Sequence, residues 1–231
     1  LAHADPAAEL PALAVALVLT GEQPADYRTE PGEQGSFALA DGSVVFMNTD
    51  TAIDVSEEGV RRLHLLEGEA DVILAGGGVP LEVRVAGAEL RTSRGRFLLR
   101  KAAGAFALAV LAATVAVARR AGGPLATQVT AGEVVTLSED GSAVSPSALA
   151  IEDLAAWQEG AVVFDATPLS QALRQLSRYR GSRLVILDRR LAEREVAGRY
   201  SLEDPAALMA RLVREGEAET LELFGLYTLV Y

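Results

Sequence analysis

Residues 157–200 read WQEGAVVFDATPLSQALRQLSRYRGSRLVILDRRLAEREVAGRY, and this stretch decides the fold of the second half of the chain. The apolar run at 161–164 predicts a strand. Thr167 followed by Pro168 predicts the N-cap and the first position of a helix, which Gly181 is expected to end. Intervals of three and four between apolar residues predict one buried helix face, made of Leu169, Ala172, Leu173, Leu176 and Tyr179.

The alternation of strands and helices continues to the end of the sequence. Runs at 184–187 and 195–200 predict two more strands, and Asp204-Pro205 predicts the start of a second amphipathic helix. Residues 221–224 and 227–230 predict an antiparallel pair around Gly225. The order β-α-β, β-α-β-β predicts a small α+β module of βαβ units over 161–231, after a linker at 146–160.

The part of the chain before the linker reads differently. Residues 27–145 form a series of short apolar runs separated by Gly, Asp-Gly and Glu-Gly turns, without helical patterns between them. This organisation predicts a mainly β domain, built as a sandwich, a barrel or a β-solenoid. The predicted strands are 36–39, 44–47, 63–66, 70–74, 81–85, 97–101, 105–110, 115–119 and 133–137.

One unit within this part occurs twice. The sequence TEPGE at 29–33 leads to DGS at 41–43, and TAGE at 130–133 leads to DGS at 140–142. Two copies predict a local duplication of a turn–strand–turn unit and are too few for a repeat array.

Two apolar runs raise the question of a membrane span, which needs about 20 residues as a helix. Residues 12–19 are too few, so we favour a buried strand or helix over the tail of a truncated transmembrane helix. Residues 102–118 reach the lower length limit, but Phe106, Leu108 and Val110 alternate with the period of a strand. This run therefore predicts two short strands joined by a turn.

The composition limits the possible functions. The 231 residues carry a net charge of −11, which argues against a nucleic-acid-binding surface. The sequence has no cysteine and only two histidines, so disulfides are excluded and a multi-histidine metal site is not expected. We predict no cofactor, and we find no catalytic motif.

The order and spacing of particular residues resemble the extracytoplasmic half of a FecR-type anti-sigma regulator. Residues 27–145 resemble the FecR domain, and 161–231 resemble the short N-terminal domain of secretins and TonB-dependent receptors. Further matches are Gly32-Glu33, Asn48-Thr49, Gly198 and Asp204-Pro205. The residues that serve as the structural signature of the resemblance are Asp41, Gly42, Gly68, Trp157, Gly160, Phe164, Pro168, Leu169 and Tyr179.

The sequence departs from the family pattern in the middle of the β-rich part. The family's Leu-Gly-Thr-x-Phe element reads SRGRF at 93–97 here, so that only Phe97 matches. A later Leu-Glu-Gly turn reads LAA at 111–113.

The resemblance implies a periplasmic signalling part of a transmembrane regulator of siderophore or iron uptake. Residues 1–26 would be a lead-in after a transmembrane helix that anchors the full-length protein in the inner membrane and is not in this chain. The implied partner is the signalling domain of a TonB-dependent outer-membrane receptor. An extracytoplasmic-function sigma factor would be reached only through a missing cytoplasmic part, and a site-1 type periplasmic protease would act on the regulator.

We expect the receptor contact on residues 183–200, by addition of a strand to an open sheet edge. The predicted partner-binding residues are Arg183, Leu184, Ile186, Val196, Arg199 and Tyr200. A competing hypothesis is a periplasmic ligand-binding module or an envelope-assembly scaffold without receptor signalling.

Two sets of charged residues have both a functional and a structural interpretation. Glu67 and Glu69 flank Gly68 and could form a carboxylate pair, but a turn with solvated carboxylates is the favoured interpretation. The arginines from Arg178 to Arg190 are the main basic concentration in the chain. We favour a solvated face for them over a patch that meets an acidic partner.

Overall fold

The structure, a computed structural model, describes residues 25–231 apart from 57–59, 77, 103, 120–124, 217 and 224–226. The apolar run at 12–19 and nearly all of the predicted lead-in at 1–26 lie outside the described residues, as does the predicted turn residue Gly225.

Two seven-stranded sheets form the first domain in the described part of the chain. The first sheet contains, in spatial order, β1 (Tyr27–Thr29), β4 (Thr51–Ser56), β5 (Arg62–Glu67), β7 (Leu81–Val85), β8 (Ala88–Thr92), β11 (Thr114–Arg119) and β12 (Leu125–Thr130). The second contains β14 (Val144–Pro146), β13 (Val134–Ser138), β10 (Ala105–Ala112), β9 (Gly95–Ala102), β6 (Glu69–Leu74), β3 (Val44–Met47) and β2 (Gly35–Ala38). Neighbouring strands pair antiparallel, except that β5 and β7 pair in parallel.

The two sheets face each other across one apolar core, which makes the domain a β-sandwich. Leu63 and Leu65 of the first sheet and Val72 and Phe97 of the second are all fully buried. Alternate residues of strands such as β5, β7 and β8 enter this core, as the period of a strand requires. The prediction of a mainly β fold is therefore confirmed, and the sandwich is the form that it takes.

All the strands predicted for this domain are present, and β3 and β7 have the predicted bounds. The strands β1, β4, β8, β12 and β14 were missed because each contains few large apolar side chains. Residues 102–118 form the end of β9, then β10 and β11, and the turn at Ala113 carries the chain from one sheet to the other. Among the described residues, no helix is long and apolar enough to cross a membrane.

The duplicated sequence unit has one geometry in both places. Each copy links a strand of the first sheet to a strand of the second, β1 to β2 and β12 to β13. The carboxylate of Glu33 accepts a hydrogen bond from the backbone of Glu30, and that of Glu133 accepts one from Thr130. Hydrogen bonds from Ser142 and Ser138 to Asp140 also hold the pKa of that carboxyl well below its ordinary value.

A short helical segment leads from the sandwich to the second domain. It consists of α1 (Ile151–Ala155) and a 3₁₀-helix (Ala156–Glu159). Leu154 packs against Leu98, Ala107 and Ala109, which lie on the outer face of the second sheet. The segment is thus fixed to the sandwich by apolar contact.

The second domain contains two small sheets and three helices in its described part. The elements are β15 (Ala161–Pro168), α2 (Leu169–Ser177), β16 (Arg183–Ile186), α3 (Arg189–Glu193), β17 (Glu195–Ser201), α4 (Pro205–Glu215), β18 (Thr220–Leu223) and β19 (Tyr227–Val230). β15 and β17 form an antiparallel pair, whereas β19 lies between β16 and β18 in a three-stranded sheet. Phe164, Leu173, Leu212 and Val230 join both sheets and the helices in one core.

The helix starts and ends were predicted with mixed success. Asp204 caps α4 by accepting a hydrogen bond from Ala207, as predicted. Pro168, however, is the last residue of β15 and has extended backbone angles, so α2 begins one residue later. Because α2 ends at Ser177, Tyr179 lies beyond the helix and does not continue its buried face.

Candidate functional site

A polar junction joins the sandwich to the second domain. The loop after α2 meets the turn between β1 and β2, the connection between β3 and β4, and the start of β6. We define the junction by Gly32, Gln34, Asn48, Thr49, Glu69, Asp71 and Arg96 from the sandwich and by Trp157, Gln158, Arg178 and Tyr179 from the rest of the chain.

Arg178 is the charged centre of the junction. Its Nη1 lies 2.6 Å from Oε1 of Glu69, and its Nη2 donates a hydrogen bond of 2.7 Å to the carbonyl oxygen of Thr49. The Glu69 side chain is only 5% exposed and that of Arg178 is 22% exposed. The contact is therefore a largely buried ion pair, in which each partner satisfies a charge that would be costly to bury alone.

Tyr179 makes a second polar contact beside the ion pair. Its hydroxyl lies 2.9 Å from Nδ2 of Asn48, and Nδ2 also donates to Oε2 of Glu69 at 3.1 Å. Burial, with the nearby charge of Glu69, raises the pKa of the Tyr179 phenol to about 12. The hydroxyl consequently stays protonated at every physiological pH and serves as a fixed hydrogen-bonding group.

Backbone atoms of the two domains also approach closely. The hydroxyl of Thr49 accepts a hydrogen bond of 2.6 Å from the Gly32 amide and donates one of 3.3 Å to the Arg178 carbonyl. A Cβ atom added to Gly32 would lie 3.1 Å from the Tyr179 carbonyl oxygen, and one added to Gly181 would lie 3.1 Å from Pro31. Glycine at both positions thus allows the two loops to pack against each other.

The helical segment supplies the remaining contacts. Gln158 donates a hydrogen bond of 2.6 Å to the fully buried carboxylate of Asp71 and accepts one from Arg96. Arg96 also forms a bidentate pair with Asp71, which raises the pKa of Arg96. The carbonyl of the buried Trp157 accepts a hydrogen bond from Gln34.

The expectation of solvated carboxylates around Gly68 is wrong for Glu69. Glu67 is exposed, but Glu69 is buried and paired with Arg178. Gly68 has a φ of +90°, and a Cβ there would lie 2.1 Å from the Thr51 hydroxyl oxygen. The glycine is needed to bring Glu69 to the junction, which explains this signature residue physically.

The preference for a solvated arginine face is likewise wrong for Arg178, which the sequence indicated only as the first arginine of the basic run and not as an interdomain residue. Its position directly before Tyr179, past the last buried residue of α2, was the available signal. Long polar side chains directly after the end of a helix, such as those of Arg178 and Tyr179, can reach a neighbouring domain.

Other signature residues have structural positions. Phe164 and Leu169 are buried in the core of the second domain, and Gly160 ends the 3₁₀-helix with a φ of +67°. Asp41 accepts hydrogen bonds from Ser43 across Gly42 and forms an ion pair of 2.8 Å with Arg61.

The predicted partner-binding residues belong to two different sheets of the second domain. Arg183, Leu184 and Ile186 belong to β16 of the three-stranded sheet, whereas Val196, Arg199 and Tyr200 belong to β17 of the two-stranded sheet. The four apolar residues of the set are partly buried against the core of the second domain. Arg199 is exposed and pairs with Glu159 at 2.5 Å.

The carboxylates of the junction are committed to arginine partners and do not form an open acidic site. In the described part of the chain, no cluster of three His, Asp or Glu residues could hold a metal ion. The arrangement is suited to holding two domains together.

The fold and the junction define a two-domain protein in which a β-sandwich carries a small α+β module through buried polar contacts. The sequence model of the FecR protein family matches residues 25–116, so the sandwich contains a FecR domain and the resemblance to that family is confirmed.

Two crystal structures share the fold over nearly the whole chain. They are of a candidate anti-sigma factor from Parabacteroides distasonis ATCC 8503, at 1.65 and 2.50 Å resolution. The first is 19% identical with a TM-score of 0.74 and the second 20% identical with a TM-score of 0.73. Each comparison covers 89% of this chain and 97% of the other. No curated protein matches the chain significantly.

Proposed function

We propose that this chain is the periplasmic signalling part of a FecR-type anti-sigma regulator. In this role the second domain binds the signalling domain of a TonB-dependent outer-membrane receptor, and the FecR domain passes the signal towards an extracytoplasmic-function sigma factor. The observation that carries the proposal is that a FecR domain contacts a small α+β domain across a specific polar junction. The description of the structural relative as a candidate anti-sigma factor supports the same role.

The junction supports a relay between the domains. Arg178 and Tyr179 directly follow α2, and the buried residues of α2 belong to the core of the second domain. Their contacts on the sandwich are Asn48, Thr49 and Glu69, which flank strands of both sheets. A partner that shifts α2 would therefore act on the FecR domain through a few charge-assisted hydrogen bonds.

Proteolysis fits this arrangement. A closed junction protects the loops that meet there, and an open junction would present them to a site-1 type periplasmic protease. The signal would then be the exposure of backbone that the second domain covers in the closed form.

A second candidate function is the binding of a small ligand or glycan in the periplasm. One observation favours it, an open groove of about 410 Å³ lined by Asp26, Tyr27, Ala38, Leu39 and Val55. The groove lies where β1 and β2 are the outer strands of the two sheets.

Isothermal titration calorimetry separates the two functions. The purified chain would be titrated with the isolated signalling domain of the TonB-dependent receptor encoded beside it, with the signalling domain of an unrelated receptor as the control. The proposal predicts saturable one-to-one binding of the first domain and none of the second. Absence of heat with both at high micromolar concentration would contradict receptor binding and favour the ligand-binding function.

A further inference from the structure

One face of the three-stranded sheet exposes apolar side chains. The register aligns Val185 of β16, Leu229 of β19 and Leu221 of β18 in one row across the sheet. Leu187 and Tyr231 follow in the next row, because the Leu187 amide donates to the Val230 carbonyl and Tyr231 pairs with Glu219. We call these five apolar residues the outward face.

The opposite face of the same sheet is the buried one. Thr228 and Val230 are almost inaccessible, and Leu184 and Ile186 pack against the core of the second domain. Since side chains alternate along a strand, the residues between them must point away from the helices. The helices of the second domain therefore cover one face and leave the outward face to solvent.

The exposure of the outward face is high for such residues. Leu187 is 64% exposed, Tyr231 52% and Leu221 47%. Together with Val185, they make up half of the exposed large hydrophobic residues in the described part of the chain. Singly exposed apolar residues need no explanation, but four that share one face of a small sheet form a patch that a partner can cover.

The charge around this sheet differs from that of the rest of the chain. Residues 174–194 contain seven arginines against the acids Asp188 and Glu193, in a chain whose net charge is −11, although Arg178 is paired with Glu69 and Arg189 with Glu193. Arg190 lies two residues after Asp188 and three after Leu187. Its side chain is exposed and makes no ion pair with any described residue. The outward face is thus followed in the sequence, just after Leu187, by the exposed arginines of α3 within this arginine-rich segment, and these favour a negatively charged partner.

The apolar area of the outward face is smaller than the area that a stable interface buries, so a partner must also contact the residues around it. With strands about 4.8 Å apart and same-face residues about 6.6 Å apart along a strand, the five residues cover an apolar area on the order of 150 Å². A stable interface buries roughly 800 Å² on each side, with an apolar centre and a polar rim. The outward face can be the centre, and the arginines of α3 and its flanks can supply the rim.

We propose that the outward face is the surface on which an acidic protein partner docks, with apolar residues of the partner on Val185, Leu187, Leu221 and Tyr231 and its carboxylates on the arginine-rich segment. This proposal rests on the proposed function, in which that partner is the receptor signalling domain. It replaces pairing at a sheet edge by packing on a sheet face, and it assigns the apolar contact to residues that alternate with Leu184 and Ile186.

The test uses calorimetry of the chain with the isolated receptor signalling domain. Leu187→Asp should raise the dissociation constant at least tenfold, because it places a charge in the apolar centre of the interface. Val79→Asp is the matched control, since Val79 is 56% exposed on the sandwich, and its binding should stay within twofold of the wild type. Circular dichroism would establish that both variants are folded.

A second pair of variants tests the charge without disturbing the apolar face. Arg190→Glu should weaken binding at least threefold at low salt, with a smaller effect at high salt. Arg28→Glu, on an exposed residue of β1, should not.

The outcomes distinguish the two claims. Wild-type binding with unaltered binding of Leu187→Asp and Arg190→Glu would overturn the docking surface and leave the proposed function standing. Absence of wild-type binding would overturn both.

Discussion

Arg178 and Glu69 are 109 residues apart in the sequence and form a 2.6 Å ion pair that joins the FecR domain to the second domain. Asn48 donates a hydrogen bond to Glu69 and another to the Tyr179 hydroxyl, and Arg178 donates one to the Thr49 carbonyl. This relationship links two parts of the chain that have separate apolar cores.

Removal of Arg178 should destabilise the junction strongly. Arg178→Ala leaves the Glu69 carboxylate buried without a counter-charge, and the expected loss in the free energy of unfolding is about 3 kcal/mol. Urea denaturation followed by the fluorescence of Trp157, the single tryptophan, measures this change at the junction itself. Arg189→Ala is the control, because Arg189 is 91% exposed in its pair with Glu193 and should cost no more than about 0.5 kcal/mol.

Equal losses for Arg178→Ala and Arg189→Ala would contradict the importance of the buried pair. A double-mutant cycle with Glu69→Ala then isolates the interaction, since removal of both partners should cost less than the sum of the single losses.

Gly68 should not tolerate a side chain. Gly68→Ala combines a positive φ with a Cβ 2.1 Å from Thr51, so we expect destabilisation of more than about 2 kcal/mol. Gly42→Ala is a matched control because Gly42 has a φ of +83° with open space around its Cβ position. Gly42→Ala should therefore lower the free energy of unfolding only through the unfavourable positive φ, by about 1 kcal/mol. Thermal unfolding of both variants checks the difference, and equal melting temperatures would argue against steric control by Thr51.

Alkaline pH should weaken the fold through Tyr179. The folded-state pKa of about 12 lies above the ordinary value of 10.0. Between these values the unfolded chain releases the phenol proton while the folded chain keeps it, so the free energy of unfolding falls as the pH rises. The contribution of Tyr179 is fully present below pH 10 and is lost as the pH passes 12.

Tyr179→Phe isolates this effect. The variant should be less stable by about 1 kcal/mol at neutral pH, because the Asn48 hydrogen bond is lost. It should also show a smaller decline in stability above pH 10 than the wild type, measured by urea denaturation at a series of pH values. Identical pH profiles would contradict a buried phenol at the junction.

The sequence predicted local structure well where side-chain periodicity is strong. The alternation of Phe106, Leu108 and Val110 identified β10, and Asp204-Pro205 identified the start of α4. Strands such as β8 and β12 escaped because their polar residues give a weak pattern, and pairing with neighbouring strands determines them instead.

The junction could be predicted only in part. Trp157 and Tyr179 were recognised as signature residues and Asn48-Thr49 as a further match to the family pattern, but their positions in the junction depend on how the two domains meet. The buried state of Glu69 also depends on a partner distant in sequence, and no local pattern distinguishes it from the exposed Glu67. Which charged residues pair in the folded structure cannot be predicted from this sequence alone.

In the proposed function, a partner that binds the second domain alters the FecR domain across the junction. Hydrogen–deuterium exchange of the chain with and without the receptor signalling domain tests this relay. We expect slower exchange in the three-stranded sheet and, at the same time, altered exchange at residues 48–51 and 67–71 of the sandwich. Exchange changes confined to the second domain, or none at a saturating concentration, would contradict the relay.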